Sequence, residues 1–331
     1  IASLVSGGVG ITMALYHCGV WSLVGQQLSR QFFNSVLLWI YGKWRPLWEF
    51  SYKSFKDLFG FGSKLLLSGL IDVFYKNVYY IVIGRYYSAT QLGQYTRAEQ
   101  FSTIFSSNLT SVVQRVSYPV LSSIQEEPER LRDAYRKIIK VTMLITFALM
   151  FGLAAIAKPL IVILIGEKWL MAVPFLQIIC FSEMLYPLHA INLNILQVRG
   201  YSGLFLKLEI VKKIIAVIPI MIGIFWGINY MLWGAVCISL VSYILNSYYS
   251  GRLIDYSTVK QVKDIFPCFL VSSLVALLMW GITFLHFNFL VTLLLQVSVG
   301  ILLAIVAYER MRLEEYKEIR RIILSIIRKN S

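Results

Sequence analysis

The chain has 331 residues, 58% of them hydrophobic and 15% charged, with a formal net charge of +14 and a mean hydropathy of +0.68. A chain this apolar has too little polar surface to cover a globule in water, which excludes an ordinary soluble domain and makes the bilayer its solvent. Its positive charge lies in short segments between apolar runs, an arrangement that argues for membrane topology and against nucleic acid as a partner.

Windows of roughly 20 apolar residues, enough for a helix to cross about 30 Å of hydrocarbon, predict about ten transmembrane helices. They lie near 1–16, 21–41, 59–83, 94–118, 138–157, 173–198, 205–227, 230–250, 265–284 and 287–308. The alternation required of barrel strands is missing, so the expected fold is an all-α integral membrane protein. Ile1 already stands inside an apolar segment with neither Met nor a signal-peptide pattern before it, and a fragment is expected. Window 94–118 is rich in Ser, Thr, Asn and Gln and counts as a crossing on parity. With it included, about nineteen Lys and Arg fall on one side and about three (Arg85, Lys158 and Lys168) on the other, as the positive-inside rule requires. Segments 42–58, 119–137, 199–204, 251–264 and 309–331 are then cytoplasmic, as is the C-terminus. So polar a helix should face protein or water.

Lys158 to Ala172 reads as a longer apolar outside loop in the membrane interface. In the tail, Leu313, Tyr316, Ile319, Ile323 and Ile326 recur at helical spacing among charges. This predicts an amphipathic helix lying either on anionic lipid or on the protein's own loops.

Ionisable residues at membrane depth are expensive and mark cavities or partners. They are Arg30 in the second window, Lys64, Asp72 and Lys76 in the third, Arg97, Glu99 and Arg115 in the fourth, and Glu183 in the sixth. Asp72 and Lys76 share a helix face and either neutralise each other or wall a cavity. Lys64 lies on nearly the same face. Arg30 has no nearby acid in sequence; its partner is a carboxylate on another helix or a substrate phosphate gripped by the guanidinium fork. Arg97 and Glu99 snorkel from an outer helix end or face a cavity. Glu183, between Pro174 and Pro187 in a bent helix, is a structural hydrogen-bonding residue or binds a coupling cation. Lys207, Glu209, Lys212 and Lys213 read mainly as surface anchors. Tyr75, Tyr79, Tyr80, Tyr86 and Tyr87 belong to an interfacial belt or line a sugar path.

The chain carries no P-loop, zinc-protease signature, sugar-nucleotide motif or nucleophile elbow. Cys18, Cys180, Cys237 and Cys268 lack metal or redox spacing, and His17, His189 and His286 are far apart. No metal and no resident cofactor are therefore expected, only a possible coupling ion, Na+ or H+. A many-helix protein with a basic interior and no catalytic constellation is most simply a secondary transporter and not an enzyme.

Three strings carry a family resemblance. The run from Ile83 to Ala98 (Ile-Gly-Arg-Tyr-Tyr-Ser-Ala-Thr-Gln-Leu-Gly-Gln-Tyr-Thr-Arg-Ala) resembles the junction of the seventh and eighth helices of the Wzx-like O-antigen and exopolysaccharide flippases. These form the polysaccharide transport family of the MOP exporter superfamily. Gln197 to Lys213 (Gln-Val-Arg-Gly-Tyr-Ser-Gly-Leu-Phe-Leu-Lys-Leu-Glu-Ile-Val-Lys-Lys) resembles the entry to that family's eleventh helix, and Tyr118-Pro119-Val120-Leu121-Ser122 before a charged loop also fits. The resemblance implies a fourteen-helix, two-lobe transporter of the kind shared with MATE exporters, of which this chain supplies the fifth helix onward. Residues 1–41 would close the first lobe, 42–58 link the lobes, 59–250 form the second lobe, 251–264 a cytoplasmic loop, 265–308 the final helix pair and 309–331 the tail.

The resemblance further implies translocation of undecaprenyl-pyrophosphate-linked oligosaccharide across the bacterial inner membrane by alternating access. The partners would be that lipid-linked glycan, membrane lipids and other polysaccharide-assembly membrane proteins. Arg30, Lys64, Lys76 and Arg97 would be the cationic cavity candidates, Arg97 alone lying in a matched string; Asp72, Glu99 and Glu183 would be coupling or ion-pair acids. The alternatives are a multidrug exporter of the same superfamily, which needs acidic and apolar cavity walls, and a membrane glycan polymerase or ligase, which needs a large outer loop.

Overall fold

The computed structural model describes residues 2–42, 50–311, 316–317 and 320–321; the side chains of Asp57, Phe61 and Lys76 lie outside that description. Among the described residues the architecture is helical, with twelve α-helices and two short 3-10 helices. Two compact units divide the chain, residues 1–57 and 58–331.

The first unit contains a helical hairpin, α1 (Ala2–Leu15) and α2 (Trp21–Tyr41). His17 and Gly19 adopt positive φ in its turn. The helices approach so closely that a Cβ on Gly25 would stand 2.2 Å from the Met13 sulfur, so a larger residue there would require the flexible Met13 side chain to shift.

The second unit takes in most of α3 (Tyr52–Tyr86) and continues with α4 (Ala89–Ser123), α5 (Pro128–Ile165), α6 (Ala172–Glu183) and α7 (Tyr186–Val198). It proceeds through α8 (Ser202–Ile215), α9 (Val217–Trp226), α10 (Ile228–Leu253), α11 (Thr258–Gly281) and α12 (Phe289–Arg310). Its hub is α5, which packs on α4, α6, α11 and α12 and buries Leu131, Tyr135, Ile139, Met143, Phe147 and Met150 at helical spacing. The final pair α11 and α12 thus packs on α5, and a bidentate Arg136–Asp264 contact (2.6 and 2.7 Å) ties α11 to it.

Five helices, α3, α5, α10, α11 with the short 3-10 turn after it, and α12, are long and apolar enough to cross a membrane. The protein is a multi-pass membrane protein. The remaining windows are helical but short (α1), polar (α2 and α4) or broken. The breaks have a covalent cause: Pro187 has no N–H for the Glu183 carbonyl and Pro219 none for Ile215, and the chain parts at Met184–Leu185 and at Ala216. In α4 the polar residues turn inward, burying Gln94, Ser102, Ser106, Thr110 and Ser117 against α6 and α7. Small hydroxyl side chains satisfy themselves on the preceding turn, as Thr110 does on the Ser106 carbonyl (2.7 Å), and let neighbouring helices approach closely.

One expectation is corrected here. The stretch from Lys158 is not a loop, because α5 continues through Pro159 to Ile165, leaving a six-residue connection with a 3-10 helix at Glu167–Trp169. A proline is tolerated in an apolar helix whose neighbours pack around the bend. Most of the tail lies outside the described residues; of those described, Tyr316 packs on Tyr308 and Arg320 pairs with Glu309 at 2.6 Å.

Candidate functional site

The broken helices and the polar α4 create two neighbouring cavities in the second unit. The larger, about 800 Å³, is walled by Tyr80, Arg97, Gln100, Thr103, Trp169 and Tyr186 among others. The Arg97 guanidinium stands 5.4 Å over the Trp169 ring and donates to Gln100 at 2.8 Å. A planar cation stacked on an aromatic face is held in place without losing all its donors, so it remains available to an anion.

The smaller cavity, about 270 Å³, lies between α3, α4, α6, α7, α8 and α10; Glu99, Glu183 and Tyr186 line both cavities. The Tyr80 hydroxyl donates to Glu99 and the Ser106 hydroxyl to Glu183. On the opposite wall Lys213 donates to Asp72 at 2.6 Å and stands 4.6 Å over the Tyr75 ring. Lys212 donates to Glu209, and both of those side chains are only 10% exposed. Charges at this depth persist because they are paired and hydrogen-bonded. At the α8–α9 break the Tyr75 hydroxyl donates to the Ala216 carbonyl (2.9 Å).

The predicted site residues are therefore divided. Arg97, Glu99 and Glu183 meet at the larger cavity, and Asp72 joins Glu99 and Glu183 at the smaller. Lys64 is exposed, lies on neither cavity wall, and has its ammonium 3.8 Å from where a Gly203 Cβ would be. Arg30 is exposed on α2 in the other unit. The Lys76 side chain lies outside the described residues, and Asp72 takes Lys213 as an ion-pair partner.

The anchor reading of Glu209, Lys212 and Lys213 is overturned: Glu209 and Lys212 are buried in the cavity wall, and Lys213 pairs with Asp72. The signal that could have found them is depth, since they stand well inside an apolar window rather than at its rim. Trp169 was hidden for a different reason, because only the folded connection after α5 brings it over α4.

Among the described residues no group of three or more His, Cys, Asp or Glu is placed to hold a metal ion. The arrangement can grip an anion at Arg97, stack a ring on Trp169 or Tyr80, and exchange protons at paired carboxylates.

A family model described as polysaccharide biosynthesis protein matches residues 1–174, more than half of the chain. The chain belongs to the polysaccharide biosynthesis protein family. Among curated members of similar sequence, the teichuronic acid biosynthesis protein TuaB of Bacillus subtilis is 26% identical over 85% of this chain and 59% of its own length. The lipopolysaccharide biosynthesis protein WzxC of Escherichia coli is 24% identical over 65% of this chain and 45% of its own. The probable low-salt glycan biosynthesis flippase Agl15 of Haloferax volcanii is 21% identical over 82% and 59%. This family member thus spans about half the length of the curated relatives it matches. Of the solved structures, a lipid II flippase MurJ in an inward closed conformation shares the fold, with a TM-score of 0.64 at 14% identity over 94% of this chain and 68% of that one.

Proposed function

We propose that the whole protein is a flippase that carries an undecaprenyl-diphosphate-linked oligosaccharide across the bacterial inner membrane by alternating access. About ten helices of the present chain would cross the membrane, with the C-terminus in the cytoplasm. The observation that carries the reading is the larger cavity: a stacked guanidinium, indole and phenol rings and amide groups surround a volume fit for a diphosphate and the sugars next to it. The polyprenyl tail stays in lipid, and no bond is made or broken. The names of the relatives and the fold shared with a lipid II flippase support the same reading.

Arg97 is the cavity cation with most support; Arg30, Lys64 and Lys76 are proposed as further contacts along the path. Glu99, Glu183 and Asp72 are proposed as the acids through which an ion gradient acts.

Deleting the full-length gene while leaving the upstream glycan-assembly genes intact tests the proposal. Mass spectrometry with leaflet-selective labelling should find completed undecaprenyl-linked glycan accumulating on the cytoplasmic face, and surface polysaccharide should disappear. The intact gene should restore export and Arg97→Gln should not. Unchanged precursor with altered drug tolerance would overturn the flippase in favour of a multidrug exporter.

A further inference from the structure

The face of α10 that lines the smaller cavity continues beyond it. Ser239, Ser242, Tyr243, Asn246 and Ser250 recur at steps of three and four and form one polar stripe, roughly 16 Å long at a rise of 1.5 Å per residue. At one end Ser239 and Ser242 line the cavity. The Ser239 hydroxyl donates to the Ser182 carbonyl (3.1 Å). It is therefore the acceptor for His189 Nε2 at 3.1 Å, which leaves Nδ1 as a lone-pair acceptor.

At the other end Ser250 donates to Asn192 Oδ1, which also accepts from the Tyr135 hydroxyl. Tyr135 stands edge-on to Tyr256 with ring centres 6.1 Å apart. The Tyr256 hydroxyl donates to Asp264 at 2.6 Å, beside the half-exposed Arg136.

Between these bonded ends Asn246 is 0% and Tyr243 5% exposed. Among the described residues neither the Tyr243 hydroxyl nor either amide atom of Asn246 has a hydrogen-bond partner. Leaving such a group bare forfeits its hydration with nothing in return, and a fully buried amide bare at both ends is rare in a folded core. An amide donor, an amide acceptor and a phenol close together suit a small molecule that both donates and accepts, which is water.

We infer that this stripe holds a file of buried water joining the smaller cavity to the Tyr256–Asp264 end of the unit, and that the file passes protons to the cavity carboxylates. Its role as the coupling path rests on the flippase reading. At each hop one O–H bond breaks and another forms; because the Tyr135–Tyr256 ring contact carries no hydrogen bond, water itself has to take the proton from hydronium at the Asp264 end past it to the stripe, and the proton arrives as the O–H of Glu99 or Glu183. Lys212 and Lys213 line that wall, each with its own acid, Glu209 and Asp72, while His189 turns an Nδ1 unpartnered among the described residues to the first water. From Ser242 to Ser250 the stripe bears no carboxylate. A metal cation would shed its hydration shell there for neutral oxygens alone, whereas a proton crosses by exchange of hydrogen bonds.

The test uses the full-length protein in liposomes without glycan. X-ray hydroxyl-radical footprinting should label Tyr243, because ordered water beside it supplies the radical, and should spare Tyr308, equally buried but bonded to Ser272. A pH jump on a solid-supported membrane should displace charge. Asn246→Leu should slow that current about tenfold, the equivalent of one lost hydrogen-bonded link, and Asn246→Ser should keep it. If Asn246→Leu does not fold, Tyr243→Phe, which removes one oxygen, takes its place with the same expectation. An unlabelled Tyr243, or a wild-type current in the substituted protein, overturns the water file. Normal glycan export without any pH-jump current overturns the proton path and leaves the flippase standing.

Discussion

The helices α3 and α5 are nearly equal in length, at 35 and 38 residues, and both are apolar enough to span a bilayer, yet they are held in opposite ways. Along α5 an unbroken stripe from Leu131 to Ile161 is buried among α4, α6, α7, α11 and α12. Among the described side chains of α3, burial is confined to Ser68, Tyr79, Val82 and Ile83. Besides the apolar contacts of Val82 and Ile83 in the core, it is linked to the rest of the unit by polar contacts: Asp72 to Lys213, Tyr75 to the Ala216 carbonyl and Tyr80 to Glu99, with Tyr87 just beyond its end on the Gly223 carbonyl. Dispersion packing is dense and unforgiving of displacement, whereas a few directed polar contacts can be exchanged for others. The contrast makes α5 the densely packed post of the unit and α3 a helix held to it largely by directed contacts.

The largest expected effect is in the post. Phe147, 2% exposed and in ring contact with Phe269 at 5.3 Å, should cost about 3–5 kcal/mol on Phe147→Ala. Phe74 on α3, 72% exposed, should change stability by less than about 0.5 kcal/mol on Phe74→Ala. Thermal unfolding of the full-length protein in detergent reads both, and equal losses would break the comparison.

A smaller effect sharpens it. Asp72→Asn and Lys213→Gln should each lower stability by about 1–2 kcal/mol, and the double variant by less than their sum, because the ion pair they share is lost only once. Strict additivity would mean that this pair does not fasten α3. Smallest of all, Lys260→Gln on the exposed first turn of α11 should leave both melting temperature and glycan export unchanged; a defect in either would show that this turn has a role the comparison misses.

Much of the architecture was legible because a bilayer allows few solutions. The apolar windows and the Lys and Arg bias lie in local composition, and each window coincides with helix. The bend expected between Pro174 and Pro187 is present as the α6–α7 break, whereas the break before Pro219 falls inside a window read as one crossing. The site was legible only in part. Arg97, Glu99 and Glu183 stood out as charges at membrane depth, and they do meet at one cavity. Lys212, Lys213 and Glu209 did not, because they follow Lys207 in a run of charges that looks alike whether it faces lipid headgroups or a neighbouring helix, although their depth in the window was there to be read.

The sequence by itself determined that the chain lives in a membrane, is helical and carries charge inside it, since these follow from composition and spacing along one chain. Tertiary structure alone decided that Asp72 pairs with Lys213, that Trp169 folds beneath Arg97, and that the serines of α10 line up with Asn192 and His189. Those contacts join residues from 50 to 141 positions apart, and partner choice over such distances is set by how helices pack, which no local pattern encodes.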